Sequence, residues 1–201
     1  MASFVRPASS SDTPAQHAED VYSVAQGNTP PIGVEQVSAS WRRSATEHGV
    51  DPLNSEAPRI LLHHELKDFR EPLDELIFSA QEEIDRLYRV VRDAGYTVLF
   101  CDTAGVAVEH RGDNADASRF RYWGTWLGGV WSEAMEGTNG IGTCIAEERP
   151  ITVHRASCRN AEMAWFLHAG ASSSGEREGL TVEEADESVG GQGGRAMRES
   201  W

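Results

Sequence analysis

The hydrophobic period of the chain changes at Gly95, and that change constrains the fold more than any other feature. From Glu71 to Gly95, apolar residues recur at spacings of three and four: Leu73, Leu76, Ile77, Ala80, Ile84, Leu87, Tyr88 and Val91. Such spacing lays one apolar stripe along a helix. Pro72 suits the first turn, Asp74 and Glu75 lie early, Arg89 and Arg92 lie late, and Gly95 suits the position just past the end. Beyond it, Tyr96-Thr-Val-Leu-Phe-Cys101 is β-branched and aromatic. Asp102-Thr-Ala-Gly105 has the residues of a type I turn, and Val106-Ala-Val-Glu109 resumes a strand. A long amphipathic helix feeding an antiparallel hairpin implies an α+β domain.

A second informative stretch runs from Trp131 to Ala146. Gly137, Gly140 and Gly142 surround Thr138 and Asn139, and Ile141, Cys144, Ile145 and Ala146 follow. Thr or Asn before an apolar run reads as a helix N-cap, and the glycines allow close backbone approach. A tight loop entering a short, closely packed helix is expected, then a strand at Ile151-Thr-Val153 after Pro150. Upstream, residues 1–35 are rich in Ala, Ser, Pro and Gln and read as a disordered tail. Residues 36–70 form a helical leader, with one short helix over Val37–Ser44, a stop at Gly49-Val-Asp-Pro52, and a second helix over Pro58–Glu71. Downstream, Ala161–Leu167 reads as helical turn or strand. Ser172-Ser-Ser-Gly, the acidic run Glu183–Glu187 and Gly190-Gly-Gln-Gly-Gly194 make residues 156–201 a divergent, disordered tail.

Composition removes several function classes. A net charge of −14 disfavours direct nucleic-acid binding, which needs clustered Lys and Arg. Three cysteines, Cys101, Cys144 and Cys158, lack CxxC spacing and fit a reducing cytoplasm. No apolar run is long enough for a membrane helix, and the N-terminus has no apolar signal core.

Most of the chemistry-bearing residues have a packing or turn role that explains them. The Gly137–Gly142 loop has neither the GxxxxGK[ST] nor the GxGxxG spacing, so loop geometry outweighs a phosphate cradle. His63 and His64 are adjacent and would point to different faces of a helix. His154 and Cys158 have no second pair of ligands, so no metal is expected. Cys144 has no assignable His and acid partner, and Asp102 reads as a turn residue. Trp123, Trp126 and Trp131 suit the wall of a small-ligand site, and equally a core or a dimer interface.

Several blocks together resemble a known family. They are Val37-x-x-Ser-Trp-Arg-Arg-Ser44, Gly49-Val-Asp-Pro52, Val98-Leu-Phe-Cys-Asp102 with Gly105-Val106, Gly129-Val-Trp-Ser-Glu133, Gly137-Thr-Asn-Gly-Ile-Gly-Thr143 and Arg149-Pro-Ile-Thr-Val153. They resemble the N-terminal sensor region of acetoin-catabolism-type, sigma-54-dependent transcriptional activators, over about residues 37–155. The resemblance implies a leader followed by a GAF-like antiparallel sheet flanked by helices, here over 71–155. It implies a signal-sensing, non-enzymatic role without cofactor, and a small-molecule metabolite held near Trp123, Trp126, Trp131, Thr138 and Asn139. Homodimers, or heterodimers with an intact activator, are the implied protein partners.

Two departures from the family qualify that expectation. The ATPase and DNA-binding modules are absent from the sequence: there is no Walker A lysine motif and no basic recognition helix. Residues 156–201 also lack the family's Cys-to-Ala-Pro-Ile segment and its two late strands, as a frameshifted or truncated chain would. A sheet incomplete in its C-terminal third and a marginally stable chain are therefore expected. The competing expectations are a non-functional truncated product, a dimerisation partner that tunes an intact activator, and a GAF-type sulfoxide reductase. The last would need paired reactive cysteines, and nothing activates Cys101 or Cys144.

Overall fold

The computed structural model describes residues 14–32, 34–35, 37–54, 56–153, 166–170 and 180–185. Its centre is a five-stranded antiparallel sheet with β1 at Val98–Cys101, β2 at Ala107–Arg111, β3 at Ile151–Val153, β4 at Phe166–Gly170 and β5 at Leu180–Ala185. The strand order is β2-β1-β5-β4-β3. Among the described residues, α-helices accompany it at α1 (Pro14–Ala25), α2 (Ser38–Thr46), α3 (His63–Arg70), α4 (Asp74–Val91), α5 (Ala117–Tyr122), α6 (Glu133–Glu136) and α7 (Gly140–Glu147).

The amphipathic stripe behaves as its spacing requires. One 3₁₀ turn, Glu71–Leu73, opens α4 with Pro72 inside it, and Gly95 takes a left-handed conformation (φ 83°) just past the end. Ile77 and Ile84 are buried against Val98, Phe100 and Val108, with Leu73, Leu76, Leu87 and Val91 along the flanks. Alternation along β1 therefore sends Val98 and Phe100 toward α4. Leu99 and Cys101 go to the opposite face, where they meet Ala107, Trp131 and Ile141.

The hairpin turn is fixed by a side chain. Asp102 Oδ1 accepts hydrogen bonds from the N–H groups of Ala104 (3.0 Å) and Val106 (2.8 Å), and the Gly105 N–H reaches the Asp102 carbonyl (3.0 Å). Gly105 sits at φ 81°, and the β1–β2 register shifts beside Cys101, as in a turn closed by a bulge. The same glycine admits the backbone of Trp131, whose N–H donates to the Gly105 carbonyl (2.8 Å).

Three expectations change. Residues 14–25, expected in a disordered tail, form α1, because Ala18, Val21 and Val24 are buried in contact with α2 and the core. The second leader helix starts only at His63. Residues 59–61 are extended instead, since the Val130 N–H donates to the Arg59 carbonyl and the Leu61 N–H to the Gly128 carbonyl. The late strands, expected to be missing, are supplied within 156–201: β5 pairs with β1 (Val98 opposite Val182) and β4 joins it to β3. The physical reason is that the open edges of β1 and β3 present N–H and C=O rows that any extended segment of suitable length can satisfy. The expectations on His154, Cys158, Ser172–Ser174 and Gly190–Gly194 lie outside the described residues.

Gly95 and Gly105 separate strain from crowding. Both have positive φ, but a Cβ on Gly95 meets nothing within 4 Å, whereas on Gly105 it would lie 2.8 Å from the Ser132 nitrogen and 3.0 Å from the Trp131 carbonyl carbon. Gly95→Ala is expected to cost about 1 kcal/mol and Gly105→Ala about 3 kcal/mol or more by urea unfolding. Equal losses in the two variants would contradict this packing.

Candidate functional site

The glycine loop is built by a cap. Asn139 Oδ1 accepts from the Gly142 N–H (2.8 Å), and Asn139 Nδ2 donates to the carbonyls of Trp131 (3.0 Å) and Gly137 (2.9 Å). Every one of these bonds is to backbone, so Asn139 shapes the loop and starts α7. Gly142 is required by contact: a Cβ there would lie 2.5 Å from the Glu133 nitrogen and 2.6 Å from the Trp131 oxygen. The first turn of α7 is thus pressed directly onto the 131–133 backbone.

That contact brings together a buried polar cluster between α2 and the 131–147 segment. Glu133, only 5% exposed, accepts from Arg43 Nε (2.8 Å) and Nη2 (3.2 Å), from the Thr143 hydroxyl (3.1 Å) and from the Ser40 hydroxyl. Ser40 Oγ also lies 2.7 Å from Thr138 Oγ1 and 3.0 Å from Thr143 Oγ1. Arg43 Nη1 donates to Glu147 at the end of α7 (2.7 Å). The hydrogen bond with Glu133 raises the Arg43 pKa further above its ordinary value, while partial burial opposes that rise. The guanidinium stays charged and holds α2 against α6 and α7.

The sequence-predicted site residues fall into three places. Trp123 and Trp131 share one apolar compartment with Leu99, Cys101, Ile141 and Ile145, on the sheet face away from α4. The Trp131 indole N–H is engaged by the Gly124 carbonyl (3.1 Å). Trp126 lies apart, its ring 4.3 Å from His110 and under the Arg121 guanidinium at 4.6 Å. Thr138 belongs to the polar cluster, and Asn139 is the cap. Ser40, Arg43, Glu133, Thr143 and Glu147 were not singled out as site residues from sequence. Trp-Arg-Arg-Ser44 and Trp-Ser-Glu133 contain Arg43 and Glu133, but nothing local announces their pairing.

His110 forms a second, part-buried polar contact, on β2. The Thr97 hydroxyl donates to the Arg111 carbonyl (2.7 Å), so its oxygen accepts from His110 Nε2–H (2.8 Å), which fixes the neutral tautomer. Burial, helped by the neighbouring Arg111 charge, lowers the His110 pKa from 6.5 to about 4. Cys101 and Cys144 are buried in different core clusters. Among the described residues, no group of three or more His, Cys, Asp or Glu is placed to hold a metal ion, and no helix is long and apolar enough to cross a membrane.

Over 120 residues, the chain is 35% identical to the acetoin catabolism regulatory protein of Cupriavidus necator, a match covering 60% of this chain and 18% of that protein. The chain thus spans less than a fifth of the length of this curated relative. Among solved structures, it is similar to a chain of the E. coli DhaR(N)-DhaL complex, with a TM-score of 0.65 and 10% identity, over 75% of this chain and 51% of that one. At that identity the likeness is one of fold. No protein-family model matches the chain.

Two measurements check the site. Glu133→Gln is expected to lower stability by about 2 kcal/mol, and a double-mutant cycle with Arg43→Met should return a coupling above about 1 kcal/mol. Additive losses would mean that the pair does not hold α2. His110 is neutral in the fold and takes up a proton on unfolding between pH 6.5 and about 4. The stability from its lowered pKa is therefore present above pH 6.5 and lost as pH falls toward 4, by up to about 3 kcal/mol. In His110→Gln, this part of the pH dependence should disappear from melting curves recorded across that window.

Proposed function

We propose that the chain is the signal-sensing region of a transcriptional regulator of the acetoin-catabolism type, with a GAF-like domain that binds a small metabolite. The observation that carries this reading is the 35% identity over 120 residues to such a regulator. The solved neighbour supports it at the level of fold. In this reading residues 36–70 are the leader and residues 71–155 the larger part of the sensor, and the role is regulatory, not catalytic. Of the five ligand-site residues, Trp123 and Trp131 face the apolar compartment, where an aromatic wall suits a small ligand. Thr138 and Asn139 act through the shape of the loop, and Trp126 is the least available, being occupied by His110 and Arg121.

A second reading is a module that docks a protein partner. It is favoured by the solved neighbour, which was crystallised as the DhaR(N)-DhaL complex. Co-purification of intact regulators or soluble partners with the tagged chain would separate it from metabolite sensing.

Metabolite sensing makes a thermal prediction. A panel of small hydroxylated and carbonyl metabolites should contain at least one compound that stabilises the purified chain by about 2.7 kcal/mol when present at a hundred times its Kd. Trp123→Leu should reduce that stabilisation without comparable loss of fold. A panel with no stabilising compound, or one whose effect survives Trp123→Leu unchanged, would count against the aromatic compartment as the sensing site.

A further inference from the structure

The outer face of α4 carries a row of side chains that the fold leaves uncovered. Ile77 and Ile84 turn the apolar stripe of the helix inward, onto Val98, Phe100 and Val108. Away from that stripe, Phe78, Glu82, Arg86 and Val90 are all exposed, Phe78 by 77% and Val90 by 72%. They are spaced four apart, so they form one ridge along about 18 Å of the helix axis. Glu82 has no side-chain partner among the described residues. Arg86 is held by Glu83 of its own helix, in a pair more than half exposed at both ends. A pair so open to water contributes little. An exposed Phe or Val carries no message singly, but the order of these four does.

The ridge is complementary to itself when reversed. Laid antiparallel about a two-fold axis near position 84, it sets Phe78 of one copy against Val90 of the other, and Glu82 of one against Arg86 of the other. The two-fold makes each contact occur twice. A parallel alignment would instead oppose Glu82 to Glu82 and Arg86 to Arg86. The rest of the helix has the same polarity, with Asp74 and Glu75 in its first turn and Arg89 in its last. Antiparallel packing therefore also brings acidic ends onto basic ends and opposes the two helix dipoles. We propose that the outer face of α4 is a docking surface for a second copy of this chain, joined as an antiparallel helix pair through the ridge Phe78-Glu82-Arg86-Val90. An 18-residue helix is about 27 Å long, so contact along one helix falls below the standard interface of roughly 1,600 Å². The dimer is accordingly weak and readily reversible. It stands independently of any ligand in the aromatic compartment, which lies on the other face of the sheet.

The test is sedimentation velocity of the full chain from about 10 µM to about 1 mM, at low and at high salt. The expected result is a concentration-dependent dimer that added salt weakens. Glu82→Arg and Arg86→Glu should each weaken self-association about tenfold or more, because each sets like charges opposite one another. Circular dichroism should show the parent's helix content in both, since the two positions are exposed. An equimolar mixture of the two variants should associate about as tightly as the parent, because their altered ridges complement each other. Phe78→Ser leaves every charge in place and should weaken the dimer severalfold; it decides the matter if a charge variant loses helix content. A chain that stays monomeric across the range overturns the proposal. So do charge variants that dimerise like the parent, a mixture that does not recover, or a dimer indifferent to Phe78→Ser.

Discussion

A buried carboxylate has to be neutralised where it sits, and the placement of Glu133 sets much of the architecture around it. Removing an ionised group from water costs several kcal/mol, a sum recovered only with good geometry and further hydrogen bonds. Here Arg43 approaches through two nitrogens, and the hydroxyls of Ser40 and Thr143 add to the pairing. These partners come from α2 and α7, so compensation of one charge joins α2 to the core. Gly142 makes the arrangement possible, because any side chain there would hold α7 away from the 131–133 backbone.

The sheet then divides the interior into two unlike compartments. One face is closed by a single helix through an aliphatic stripe, Ile77 and Ile84 over Val98, Phe100 and Val108. The other is closed by short helices and turns carrying Trp123, Trp131 and Ile141. Short elements joined by glycine turns have fewer internal backbone bonds to lose than α4. They are therefore the part of the molecule best suited to adjust around a guest.

What could be read from sequence follows the range of the interactions concerned. The α4 stripe, Pro72, the left-handed Gly95, the Asp102 turn and the Asn139 cap are each set by residues within a turn or two of one another, and all were legible. The polar cluster was not, because Ser40 and Arg43 meet Glu133 and Glu147 only after the chain has folded back. For the same reason α1 was missed: its helical preference is slight and becomes decisive through Val21 and Val24 against α2. The extended segment at 59–61 likewise exists because Gly128 and Val130 need partners, which its own residues do not announce. Of the five predicted site residues, the two that meet in one compartment, Trp123 and Trp131, were apolar and bulky enough to be noticed. Their being together depends on the register of a loop that no local pattern encodes.

The strand order carries a consequence for how the chain is made. β1 is flanked by β2, its immediate neighbour in sequence, and by β5, the last described strand. On a ribosome the hairpin can zip as soon as Arg111 emerges, but the other edge of β1 stays open until Leu180–Ala185 has been synthesised. While residues 112–185 are being made, the nascent chain therefore presents one open edge of an apolar strand, Val98-Leu-Phe-Cys101, to whatever is nearby. Its protection in that interval falls to α4, which precedes β1 in the chain and is already available to cover Val98 and Phe100 from one side.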